Sequence, residues 1–163
     1  MSPLSPAAVL NHLRAELKPW AESAGVRAQL SIARDPFEVI EVLGANPPGL
    51  QIVLIWEGDE DFLNIPEAGI IRHRLAVVVS MNRGLRLWRG ENLATAYGNQ
   101  PALLERVDEV RQRCRLLRFP PEVTDQILLY KGADPEVTPD GLPLDAYRLR
   151  FHLTAALPHL QQV

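Results

Sequence analysis

The chain has 163 residues, 47% of them hydrophobic and 23% charged, a balance that fits one soluble globular domain, 1–163, with a sizeable core. Its formal net charge of -3 speaks against a general nucleic-acid binder, which carries a basic excess. Cys114 is the sole cysteine, so an intrachain disulfide framework and a cysteine-based zinc site within one chain are both excluded.

The opening MSPLSPAAVLNHLRAEL has no basic segment followed by a long apolar run, so no signal peptide is expected and the chain should fold in a cytoplasm. Ser5-Pro6 reads as an N-cap with proline in the first turn. Leu10, Leu13, Leu17 and Trp20 then recur at helical spacing, and Pro19 should end or kink that helix. Asp35 before Pro36 is a second cap, and PFEVIEVLGANPPG reads as a short helix or an irregular edge segment.

LQIVLIWE (50–57) is an expected strand with apolar residues on both faces, hence interior to a sheet. An acidic loop, EGDEDFLNIPEAG, should follow. Residues 69–90 read as a hairpin: a strand Ile70–Ser80, a turn at Met81-Asn82-Arg83-Gly84, and a return over Leu85–Trp88. Its Leu75–Val79 run is the longest apolar stretch, far below the ~20 residues of a membrane span, so no membrane partner is expected.

ENLATAYGNQ is a loop, and PALLERVDEVRQRCRLLRF (101–119) is the clearest helix. Its stripe is Leu103, Leu104, Val107, Val110, Cys114 and Leu117, and Pro120-Pro121 stops it. DQILLYKG (125–132) is a strand and ADPEVTPDGLP a loop. In LDAYRLRFHLTAAL (144–157), Tyr147, Leu149, Phe151 and Leu153 alternate with Arg148, Arg150, His152 and Thr154, the period of a strand with one buried face. The expected fold is therefore α+β, a mainly antiparallel sheet with two amphipathic helices packed on one face and the other face partly uncovered. Leu10, Leu13, Leu17, Leu103, Val107, Val110, Leu149, Phe151 and Leu153 should share one core.

No constellation names an enzyme. A calcium loop begun at Asp59 would need glycine and glutamate where Asn64 and Ile70 stand. Asp145 is followed by Ala146 and Tyr147, without the lysine that a metal nuclease places beside its carboxylates. His12, His73, His152 and His159 are scattered, and although His73 and His152 could approach across the sheet, no ligand spacing supports a metal. Phosphate-binding glycine loops and nucleophile elbows are absent from the sequence, and Cys114 sits on an apolar stripe. No catalytic activity and no cofactor are expected.

What stands out is arginine on strands: Arg72 and Arg74 on one parity, Arg148 and Arg150 on another, with Arg86 and Arg89 near the hairpin return. Such residues line either a solvated sheet face or an oligomer surface, where guanidinium groups meet a neighbour's carboxylates. Direct DNA binding fits less well, since aromatic residues do not interleave with the arginines. The carboxylates available for pairing are Glu57, Asp59, Glu60 and Asp61, and a head-to-tail contact between these two groups closes into a ring when the rotation permits.

The element order, and above all Tyr130, Gly132, Tyr147, Leu149 and Phe151 in a "Y-x-G … Y-x-L-x-F" run, resembles bacteriophage tail terminator and tail-completion proteins. The resemblance implies a non-catalytic virion protein assembled in a bacterial cytoplasm. It would form a homo-oligomeric ring, a hexamer, that caps the tail tube and meets the connector, without sequence-specific nucleic-acid binding. The alternative is a cytoplasmic adaptor or immunity-type module that binds a protein through the same sheet face.

Overall fold

The computed structural model describes residues 3–45, 49–62, 69–82, 103–136 and 144–157. Helix α1 (Pro6–Ala21) starts where Ser5, in extended conformation, accepts from the Ala8 amide, and it runs through Pro19 to Ala21 rather than ending there. Strand β1 (Gln29–Ala33) follows, then α2 (Pro36–Gly44), capped by Asp35, whose carboxylate accepts from the Glu38 amide at 3.0 Å. Next come β2 (Leu50–Asp61), β3 (Ile70–Asn82), α3 (Leu103–Cys114), β4 (Leu129–Pro135) and β5 (Leu144–Ala156).

The strands form one five-stranded sheet in the order β1-β2-β3-β5-β4. The fold is α+β, but the sheet is mixed rather than mainly antiparallel, because β1 runs parallel to β2. A parallel pair needs a crossover, and α2 is that crossover. The expected pair of helices on one face therefore becomes three helices on two faces. α1 and α3 cover one face, over Ile52, Leu54, Leu75, Val77, Val79, Leu149, Phe151 and Leu153. α2 covers part of the other, where Val39 and Leu43 meet Ala33, Val53, Ile55, Ala76 and Val78. All the residues expected to share a core are buried in the first cluster.

Four boundaries differ from expectation. The acidic stretch expected as a loop is, through Asp61, the second half of β2, with a bulge between Trp56 and Gly58. β3 takes β2 on one edge and β5 on the other, so its hairpin partner precedes it; the expected return Leu85–Trp88 lies outside the described residues. α3 stops at Cys114, well short of Phe119. There Leu116 takes a left-handed φ of 60°, its amide bonds the Leu128 carbonyl, and the chain leaves to bridge Arg118 with Ile127. β4 consequently begins at Leu129 and runs to Pro135, into the segment expected as a loop.

A polar cluster fastens α3 to α1 and to the turn that follows α1. Buried Arg106 donates to the Glu109 carboxylate at 2.9 and 3.1 Å and to the Gly25 carbonyl at 2.5 Å, while the Trp20 indole donates to Glu109 at 2.6 Å.

Candidate interaction surface

Where α2 ends its cover, the same face of the sheet continues over β3, β5 and β4 as a band of paired charges. Alternation places Arg72 and Arg74 of β3 and Arg148 and Arg150 of β5 on this side, opposite the parity that enters the α1/α3 core. Arg72 stands directly across from Glu60 and donates to its Oε1 through Nε at 2.9 Å and Nη2 at 2.7 Å. Arg148 is held twice, by Glu57 at 2.9 Å and by Glu136 at 2.5 Å. Arg150 meets Asp134 at 2.5 Å, and Arg74 donates to the Glu57 carbonyl at 3.3 Å.

Two bulges make this geometry. The extra residue at Glu57 turns its carboxylate toward Arg148, and Gly58 beside it has φ +105°, a conformation that costs an L side chain. A Cβ on Gly58 would sit 3.3 Å from the Arg74 guanidinium. β4 repeats the device between Tyr130 and Gly132, where Gly132 (φ +133°) lies opposite Arg150 and a Cβ would come 3.7 Å from that guanidinium. In both places a bulge glycine leaves room for an arginine laid across the strand.

The electrostatics follow from burial. Burial works against the charge of Arg148, but the Glu136 and Glu57 carboxylates outweigh it and hold its pKa above the usual guanidinium value. Arg72 holds the Glu60 carboxyl below its usual range. Burial lowers the pKa of His152, helped by Arg72, Lys131 and Arg74 and opposed by Glu60, and its buried Nδ1 has no hydrogen-bond partner among the described residues.

Of the expected surface residues, Arg72, Arg74, Arg148, Arg150, Glu57 and Glu60 come together. Asp59 and Asp61 do not: they pair with His73 and Ile71 and fall on the opposite parity. His73 and His152 also face opposite sides, so they do not approach each other. Asp134 and Glu136 also join the band, although both lie in the stretch expected as a loop; their sole signal in the sequence is spacing that could extend β4. Arg86, Arg89 and His159 lie outside the described residues. Two of the four carboxylates expected to meet arginines of a second subunit, Glu57 and Glu60, are thus already paired with arginines of their own chain.

Elsewhere, burial pushes the Cys114 thiol up to about 12, which keeps it from acting as a thiolate at neutral pH. Among the described residues, no three His, Cys, Asp or Glu side chains gather as a metal site, and no helix is long and apolar enough to cross a membrane. Exposed apolar surface does occur on the outer side of α2, where Phe37 is 75% and Ile40 54% exposed, three residues apart. Comparison with known proteins adds no name to this surface. No protein-family model matches the chain, and no curated protein matches it.

Proposed function

We propose that the chain is a non-catalytic structural subunit of a bacteriophage tail, of the terminator or completion type. In this reading it forms a hexameric ring that caps the tail tube and joins it to the head-tail connector. The observation that carries the reading is that the residues bearing the family resemblance form one physical unit. Tyr130 packs on Phe151 with ring centroids 5.6 Å apart, Gly132 forms the bulge across from Arg150, and Tyr147 and Leu149 continue the same face of β5.

The intrachain ion pairs change how such a ring would hold together. Surface pairs contribute only ~0–1 kcal/mol each, and here their charges are already satisfied. Affinity must come from apolar contact, and Phe37 and Ile40 on α2 offer it; since both are already partly buried, covering each would contribute less than the roughly 1.5–3 kcal/mol of a wholly exposed side chain. The charged band then sets register and partner choice rather than strength. The adaptor alternative would bind its protein partner through the same sheet face.

The test is light scattering over a concentration series, alone and with purified tail tubes, for the native chain and Phe37→Asp. The ring reading expects assembly, on tubes if not alone, that Phe37→Asp abolishes. An adaptor would stay monomeric in both conditions and ignore the tubes.

A further inference from the structure

His73 and Trp56 meet where β2 slips in its pairing with β3. Trp56 stands opposite Leu75, the register shifts at Glu57, and pairing resumes with Gly58 opposite Arg74 and Asp59 opposite His73. His73 is 4% exposed, and its Nδ1 accepts the Trp56 indole N–H at 3.1 Å. An indole nitrogen only donates, so this contact requires a ring with Nδ1 bare and the proton on Nε2. A protonated imidazole donates from both nitrogens, and the contact cannot survive in that charge state.

The bulge beside this contact carries Glu57, whose carboxylate reaches Arg148 and whose carbonyl accepts from Arg74. Asp59 on β2 faces His73 and favours the charged ring, while the residue opposite it on β5 is apolar Leu153. Arg72 and Arg74 alternate to the other face of β3. Burial is the larger influence and lowers the ring's pKa below its ordinary value.

We infer that His73 and Trp56 form a proton-operated latch on the β2 bulge. A proton taken from solvent onto Nδ1 expels the indole N–H, frees the bulge and releases the Glu57 carboxylate from Arg148, which stays held by Glu136. No covalent bond changes. Mild acid thereby presents a free carboxylate on the charged face, available to a cationic group of a partner. This device does not depend on what the partner is.

Nitrogen-15 NMR of the full chain from pH 8 to 5 tests it. The Trp56 indole and Arg148 Nε signals should shift together through one single-proton titration with a midpoint below 6.5. Asp59→Asn removes the carboxylate that favours the charged ring and should move that midpoint to lower pH. His73→Gln keeps an acceptor that does not titrate and should leave both signals flat. The inference is overturned by a native indole signal that does not titrate, by an Arg148 signal that ignores it, or by a midpoint unmoved in Asp59→Asn. Asp59 is exposed, so that variant decides the matter even if His73→Gln fails to fold.

Discussion

Phe151 is fully buried, packed at a tilt against the Tyr130 ring and central to the face that α1 and α3 cover. Phe151→Ala should therefore cost about 3–5 kcal/mol, measured as a shift in a denaturant midpoint at constant slope. A loss below about 1 kcal/mol would mean that the site collapses around the gap. Leu116 is the opposite case. It is 52% exposed and holds φ 60° just past the end of α3, where glycine is the usual residue. Leu116→Gly should raise stability by roughly 0.5–1 kcal/mol, the left-handed penalty less glycine's greater chain entropy.

The two lowered histidines set the acid response. His73 and His152 both have folded pKa values below the ordinary 6.5, so the unfolded chain binds protons first. Their contribution to stability is complete above pH 6.5 and is lost as pH falls from there through the folded values. Glu60 acts in a lower window, with its contribution present above its ordinary 4.5 and lost as pH falls below it. Thermal unfolding from pH 8 to 5 should show the first loss, and replacing both histidines with glutamine should flatten it. An unchanged slope in that double variant would assign the acid response to other groups.

At the scale of elements, the α1–α3 clamp carries a definite cost. Arg106 is buried and Glu109 is partly exposed, so Arg106→Ala should destabilise by about 2–4 kcal/mol, below the full penalty for breaking a buried pair. Trp20 fluorescence should report the loosening, since its indole shares the Glu109 carboxylate. A change under about 0.5 kcal/mol would show that apolar packing alone joins the helices.

The elements that were legible in sequence are those whose burial is one-sided: α1, α3 and β5 each display a stripe or alternation that matches the core they meet. β1 was not legible because QLSIA offers only Leu30 and Ile32 as an alternation, too short to separate from loop. The acidic half of β2 was misread for a different reason. Asp and Glu disfavour strands, and what holds them there is cross-strand pairing to β3, Glu60 to Arg72 above all, which lies outside the local sequence. The arginine parity was readable, but its partners were not, because two of the four carboxylates, Asp134 and Glu136, sit beyond a bulge that shifts the β4 register.

At the scale of the whole molecule, one face is closed by two helices and the other is shared between α2 and a band of satisfied ion pairs. Four arginine–carboxylate pairs on that face are already formed within the chain, and its exposed apolar surface there includes Phe37 and Ile40 of α2 and Leu129 of β4, opposite His152. Electron microscopy of purified tail tubes incubated with the chain tests the proposed role most directly. One ring at a tube end is expected with the native chain, and bare tubes with Phe37→Asp. Bare tubes with the native chain, together with a monomer at every concentration, would contradict it.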